Sequence, residues 1–261
     1  MRVLITGGTG TIGKELVRQL TGQDVIIFSR NEYAQVLMKQ EYPNADYIIG
    51  DVRDYDDILK ATVGVNQVFH LAAVKHVDIC EDQPQEAVKT NVIGTLNVVR
   101  ACERNRCGLV SMSSDKAINP CNTYGLTKRI GEDMVVRAGF TAIRSGNVLW
   151  SSGSVLPIWK RQLETSNLIS LTSKEMTRFF ISQKDLVQFI INRQGVPGVH
   201  TIPMKSFRLY DIAMEFINRY GNEESEIKIT SIREGERLHE FRDDIMSSQN
   251  YLCNDLNYIF Q

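Results

Sequence analysis

Much of what marks specialised proteins is scarce in this chain. It has 5 cysteines, at positions 80, 102, 107, 121 and 253. That is an odd number without C-x-x-C spacing, which argues against a disulfide framework and a zinc site and suits a reducing cytoplasm. An excess of one charge is missing too: 30 basic against 31 acidic side chains leave a net charge of −1, so no electrostatic footprint for nucleic acid is visible. Mixed clusters such as Glu103 to Arg106 read as solvated helix faces. No apolar run is long enough for a signal peptide or a membrane span, and only Met1 and Arg2 precede the first apolar run. No internal repeat or low-complexity tract interrupts the chain. What remains is 261 residues, 43% apolar and 23% charged: a soluble, cytoplasmic globular protein with one large α/β domain, or one domain with a small lobe.

Short apolar runs alternate with helix-length segments: Val3 to Ile5, Val25 to Phe28, Tyr47 to Ile49, Val68 to Ala72, Leu109 to Met112 and Thr141 to Ile143. Wholly apolar strands separated by helices indicate a parallel sheet covered on both faces. From Ala87 to Val99, the apolar positions Val88, Val92, Leu96 and Val99 step along one helix face, which predicts a crossover helix. After about Asn147 a serine and glycine segment, Ser151 to Ser154, leads into short elements of mixed order. The expected fold is therefore a Rossmann-like, doubly wound parallel sheet over residues 1–147, followed by a smaller mixed α/β substrate lobe over 148–261, with a segment returning to the main sheet. Loops after parallel strands, facing such a lobe, are where ligands bind.

Directly after the first strand, "TGGTGTIG" sets Gly7, Gly10 and Gly13 in a G-x-x-G-x-x-G array with Thr11 and Ile12, at the start of an amphipathic helix. Glycines there let the backbone turn tightly and approach a pyrophosphate, whose charge is met by free N–H groups and the positive helix end. The end of the second strand discriminates between cofactors. A carboxylate there suits the ribose of NAD, whereas Ser29 and Arg30 stand here, and a guanidinium suits the 2′-phosphate of NADP. Glu32 is the residue that would reverse this preference. Asp51 and Val52, at the third strand's end, are placed for the adenine; Asp51 is equally readable as an N-cap for the following helix.

Tyr124 and Lys128 lie at i and i+4 on one predicted helix face. The ammonium is expected to lower the phenol's pKa from about 10 towards neutrality, so that the tyrosine takes the proton of an alcohol as its hydride leaves. Asp115 and Lys116 stand just upstream. Alone they would read as an exposed ion pair at a strand end.

These motifs, with "AAVKHV" (Ala72 to Val77), "SSDKAINPCNTYGLTK" (Ser113 to Lys128), "RSGNV" (Arg144 to Val148), "MTRFFIS" (Met176 to Ser182) and "REGERLHE" (Arg233 to Glu240), identify the chain as a member of the extended short-chain dehydrogenase/reductases. Within them it resembles the polysaccharide-biosynthesis nucleotide-sugar 4,6-dehydratases, and among those the small enzymes that act on UDP-N-acetylglucosamine and invert C5. The resemblance implies a hydro-lyase that oxidises C4, removes water across C5 and C6, and returns the hydride to C6. It makes Asp115 and Lys116 the acid and base of the elimination, without saying which moves which proton, and puts Ser114, with Ser113, against the C4 oxygen; an ammonium beside Lys128 and the cofactor's positive ring is expected to lose its proton more easily, and a partly buried carboxylate to keep its own. It also implies that Lys75 lies near cofactor and sugar and that Ala72 and Asn91, beside Thr90, belong to the cofactor site. Asn147, Arg233 and Glu236, with Arg178, become the grip on the nucleotide diphosphate. Relatives of this kind are homo-oligomers, from dimers to hexamers.

His70, inside an apolar strand, reads as a satisfied core residue; Trp150, Trp159, Phe179 and Phe180 read as core or interface. Ser145 stands where the family carries a tyrosine. Two rivals share the motifs: a nucleotide-sugar 4-epimerase or 4-reductase, which has no need of Asp115 and Lys116, and a non-catalytic NADP-sensing protein, a type that usually loses Tyr124 and Lys128.

Overall fold

All six apolar runs form strands. In the computed structural model, which describes residues 1–243 and 246–261, the order is β1 (Arg2–Thr6), α1 (Thr11–Gln19), β2 (Asp24–Ser29), α2 (Glu32–Glu41), β3 (Asp46–Ile49), α3 (Tyr55–Ala61), β4 (Gln67–His70), α4 (Val77–Asp82), α5 (Pro84–Ala87), α6 (Gly94–Asn105), β5 (Gly108–Met112), α7 (Thr123–Arg137) and β6 (Thr141–Arg144). The second half adds β7 (Asn147–Val148), α8 (Val155–Ser166), β8 (Leu168–Leu171), β9 (Thr177–Ile181), α9 (Gln183–Asn192), β10 (Gly198–Thr201), β11 (Lys205–Arg208), α10 (Leu209–Tyr220) and β12 (Glu226–Ile229).

The main sheet has seven strands in the order β3-β2-β1-β4-β5-β6-β10, every pair parallel. Register is set by buried apolar positions: Ile5 of β1 faces Ile27 of β2 on one side and Phe69 of β4 on the other. One helical layer packs over Leu4, Phe28, Val68 and Leu109, the other over Ile5, Ile27, Phe69 and Val110; each such side chain contributes roughly 1.5–3 kcal/mol by leaving water. The strand order reverses between β1 and β4, so a crevice opens there at the carboxyl ends of the strands.

The crossover helix expected over Ala87 to Val99 is interrupted. Between α5 and α6 the chain takes a π-helical course over Val88–Ile93. The wider turn shifts the faces, so Val88, counted on the buried stripe, is 42% exposed, while Thr90 and Asn91 turn inward.

Beyond β6 the chain leaves the sheet, then returns: α9 packs on α1, and β10 pairs with β6. The outer part holds a three-stranded sheet, β11-β9-β7, and a pair, β12-β8. Its core is built around Trp159 and Phe216, whose rings meet edge-on with centroids 5.9 Å apart. Trp159 and Phe180 are buried there as core residues, Phe179 is buried as well, and the Trp150 indole donates to the Ile259 carbonyl at 3.2 Å. Among the described residues, no helix is long and apolar enough to cross a membrane.

Candidate active site

After β1 the backbone turns at Gly7 with φ +67°, and a Cβ there would sit 2.8 Å from the main-chain nitrogen of Ala72. Only glycine fits both the conformation and the close approach. Gly10 then leads in extended geometry into α1, whose first N–H groups have no intrahelical partners. Gly7, Gly10, Thr11, Ile12 and Gly13 line one end of a cavity of about 650 Å³, a volume typical of ligand sites. It follows the carboxyl ends of the strands, with Ser29, Arg30, Asp51 and Val52 on one side, Ala72 and Lys75 midway, and Ser114, Lys116, Tyr124, Lys128 and Asn147 at the far end. A bare-backbone cradle, an open helix N-terminus and an extended cavity fit a dinucleotide.

At the β2 and β3 end, the Asp51 carboxylate accepts from Arg53 Nε at 2.7 Å and from the Arg53 main-chain N–H at 3.0 Å, with Arg30 Nη1 at 3.6 Å. Burial opposes its ionisation, but Arg53, seconded by Arg30, holds the carboxyl below its usual range. Asp51 is not the cap of α3: Asp54 accepts from the N–H groups of Asp56 and Asp57. The Arg30 side chain is 55% exposed, and Glu32 does not line the cavity.

At the other end, "SSDK" follows β5. Ser114 caps a single 3₁₀ turn, its hydroxyl accepting from the Lys116 N–H at 3.2 Å and donating to Asp115 Oδ1 at 3.0 Å. Lys116 Nζ lies 3.0 Å from Asp115 Oδ1 and 3.3 Å from Glu240 Oε1. The turn packs under α7, where Asn122 caps the helix by accepting from the Gly125 N–H at 2.7 Å, so Tyr124 and Lys128 project beside it.

The charges differ from the sequence-based expectation. Lys116 does not shed its proton readily. Burial works against the ammonium, but Asp115 and Glu240 outweigh it and hold the group above the usual lysine range. Burial, with the Glu240 charge added and Lys116 opposing, holds Asp115 above the usual carboxyl range. Tyr124 is raised by burial, against the Ser114 hydroxyl and the Lys116 charge. Lys116 is the cation that opposes this rise. Lys128 itself is brought down to about 8 by burial, against the opposing charge of Glu132. Ser113 is engaged elsewhere, donating to Glu132 Oε2 at 2.9 Å, which leaves Ser114 as the hydroxyl at the site. His70 is a satisfied core residue: Nδ1 pairs with Thr6 Oγ1 at 2.7 Å and Nε2 with Thr95 Oγ1 at 3.1 Å, and burial brings it down to about 3.

Lys75 reaches across the cavity, donating to the Ser152 carbonyl at 2.6 Å, while the Ser152 N–H donates to Thr11 Oγ1 at 3.0 Å. The Ser151 to Ser154 segment therefore lies over the glycine loop. Asn91 does not line the cavity. Its amide is occupied by both polar groups of the Val74 peptide, at 2.8 and 2.9 Å, and by Thr127 Oγ1 at 3.1 Å, so it supports the strand end before Lys75, and Thr90 lines the wall in its place. Arg178 offers no free fork. Its guanidinium donates to the carbonyls of Thr177, Leu238 and Arg237 at 2.8, 3.1 and 2.8 Å and lies 3.7 Å from Glu236 and 3.8 Å from Glu240. Arg233 and Glu236 lie on the segment it clamps, outside the cavity wall. Sequence reasoning missed Glu240, the last residue of the quoted "REGERLHE", and Glu132, one helical turn after Lys128; the i+4 spacing was the available signal for the second.

Residues 3–257 match the model of a family described as polysaccharide biosynthesis protein. The chain belongs to that family. An uncharacterized membrane protein of Methanocaldococcus jannaschii is 37% identical over 99% of this chain and 84% of its own length. A UDP-N-acetylglucosamine 4,6-dehydratase (inverting) of Campylobacter jejuni is 37% identical over 98% of this chain and 81% of its own. A UDP-glucose 4-epimerase of Rickettsia bellii is 34% identical over 91% and 76%. Among solved structures, Pen from Bacillus thuringiensis superposes with a TM-score of 0.90 at 35% identity, covering 93% of this chain and 83% of that one. By sequence and fold the family member described here is an extended short-chain dehydrogenase/reductase.

Proposed function

We propose that the protein is an NADP-dependent nucleotide-sugar 4,6-dehydratase, a hydro-lyase that converts UDP-N-acetylglucosamine to UDP-2-acetamido-2,6-dideoxy-hexos-4-ulose with inversion at C5. The observation that carries the reading is the Asp115–Lys116 pair, 3.0 Å apart: Lys116 lines the same end of the cavity as Tyr124 and Lys128, and Asp115 is buried directly behind it, outside the cavity wall. Oxidation at C4 needs a tyrosine, a lysine and a hydroxyl; loss of water needs one more acid and one more base. The identity of the sugar and the inversion rest on likeness to the Campylobacter dehydratase.

Bound NADP would supply the hydride chemistry, acceptance from C4 and return to C6. The glycine loop and the first turn of α1 hold its pyrophosphate, and the exposed Arg30 guanidinium, beside Ser29, meets the 2′-phosphate. Tyr124, once its own proton has been released, accepts the C4 hydroxyl proton, Ser114 orients that oxygen, and Lys128 supplies positive charge on the same helix face. With C4 a ketone, the C5 proton becomes acidic. Lys116 removes it after releasing its own, and Asp115, kept protonated in the interior, donates to the departing C6 hydroxyl. Lys75 and Asn147 border the sugar. Of the residues expected at the diphosphate, Arg233 has the exposed guanidinium for it, while Arg178 and Glu236 hold its segment in place.

Incubation with UDP-N-acetylglucosamine and NADP in heavy water, read by NMR, tests this. The expected product is a 4-keto-6-deoxy sugar, deuterated at an inverted C5, without net cofactor consumption. Likeness to the Rickettsia epimerase favours a second reading. A product that keeps its C6 hydroxyl, inverted at C4 and free of deuterium at C5, would put the 4-epimerase in place of the dehydratase.

A further inference from the structure

Two buried carboxylates meet one ammonium at this site. Asp115 is 1% exposed and Glu240 2%, and both reach Lys116 Nζ, at 3.0 and 3.3 Å. Each keeps one oxygen, Asp115 Oδ2 and Glu240 Oε2, buried without a hydrogen-bond partner among the described residues. Two carboxylates that share a single site do not both ionise readily, so their proton affinities are driven apart. Their surroundings decide which keeps the proton. Glu240 faces Lys116 and the Arg178 Nε at 3.8 Å, with Arg237 a third, weaker cation. Its main chain is pinned in place: its N–H donates to Ser248 Oγ at 2.9 Å and its carbonyl accepts from the Ser248 N–H at 2.8 Å. Asp115 faces one cation, the Ser114 hydroxyl and the apolar interior, with Tyr124 as its titratable neighbour.

We propose that Glu240 is a positioning residue for the elimination: it carries the negative charge opposite Lys116, and so leaves on Asp115 the proton that the departing hydroxyl needs. The inference rests on the dehydratase reading for its purpose, but the proton on Asp115 exists with or without a substrate. The directions in which burial and neighbours move the two carboxyls agree, Asp115 upward and Glu240 downward against its own burial through Lys116 and Arg178. Without Glu240, Asp115 becomes the sole counter-ion of Lys116 and ionises, so the acid is lost while the hydride-transfer residues stay as they were.

Infrared spectroscopy of the whole protein tests this directly. Wild type at pH 7 is expected to show the carbonyl stretch of a buried protonated carboxyl, absent from Asp115→Asn. In Glu240→Gln that band should appear only on acidification, its midpoint at least about one pH unit lower, which is about tenfold less protonated Asp115 at a given pH. Dehydration should fall at least tenfold in Glu240→Gln while transient cofactor reduction stays within about threefold, a split that general loosening would not produce. Glu240→Asp, which keeps the charge but withdraws it, is expected to titrate between the two, and carries the test should Glu240→Gln not fold. A band that survives unchanged in Glu240→Gln or in Glu240→Asp, or that persists in Asp115→Asn, overturns the proposal. Absence of any 4-keto-6-deoxy product from wild type with the band behaving as described would sink the dehydratase reading and leave the proton placement standing.

Discussion

Replacing Glu132 with glutamine strikes stability and chemistry together. Glu132, on α7 one turn beyond Lys128, has a side chain 1% exposed and accepts from Arg144 Nε at 2.8 Å and Nη2 at 2.6 Å, while Ser113 Oγ donates to it at 2.9 Å. The trio ties α7 to the carboxyl ends of β5 and β6, the strands that frame the acid and base. Glutamine preserves volume but leaves the Arg144 guanidinium in the interior without a counter-charge, and breaking a buried pair in that way costs about 3–5 kcal/mol. In a protein of this size each kcal/mol moves Tm by roughly 2–4 °C, so thermal unfolding followed by circular dichroism is expected to shift down by about 6–20 °C. The second effect is electrostatic. Burial has brought Lys128 to about 8, and Glu132 is the charge opposing that fall. With Glu132 neutral, Lys128 falls further. Its charged form is the one lost as pH rises, so the hydride step, followed as reduced nicotinamide in a single turnover, should decline at a lower pH than in wild type. A Tm within about 2 °C of wild type, together with an unmoved alkaline limb, would refute the assigned role of this ion pair.

Tyr124→Phe should slow the hydride step by about 10²–10⁴-fold, the usual worth of a proton acceptor placed in the transition state, while cofactor affinity measured by calorimetry changes little; loss of binding to match would assign the phenol to the cofactor instead. Arg30→Ala should weaken NADP by roughly tenfold or more, about 1.4 kcal/mol, and leave NAD affinity unchanged. An equal loss for both cofactors would mean that the guanidinium does not meet the 2′-phosphate.

The six strands, the glycine turn and the Tyr124–Lys128 face were legible because each depends on local pattern: apolar runs, a turn that admits no side chain, two residues one helical turn apart. The π-helical course at Val88–Ile93 was not, since one extra residue per turn leaves the apolar spacing nearly intact while moving Val88 to the surface and Asn91 under Val74. Residue types also suggested more free cations than the fold leaves. Arg178 reads as a diphosphate fork in a list of residues, yet three main-chain carbonyls occupy it. The ionisation states at Tyr124 and Lys116 were misjudged for a related reason. Spacing along a helix reveals a neighbouring charge, but not the burial that opposes it nor a carboxylate arriving from a distant segment.

That last omission bears on how such a site can work. An aspartate directly beside a lysine forms, by default, an ion pair in which the acid has lost its proton and the base has kept its own, the reverse of what an elimination needs. Moving the pair out of water does not by itself correct this, because attraction at 3.0 Å also strengthens as the surroundings dry. A second carboxylate changes the balance. With Glu240 supplying the negative charge, Lys116 no longer requires Asp115 to be ionised, and burial can then act on Asp115 alone. Glu240 reaches Lys116 only because its segment lies along β9, where Thr177 Oγ1 pairs with His239 Nδ1 at 2.8 Å and Arg178 grips three carbonyls. The acid of "SSDK" is therefore a property of two distant stretches docked together, and a chain that kept Asp115 and Lys116 but lost Glu240 would retain the residues of a dehydratase without the proton on its acid.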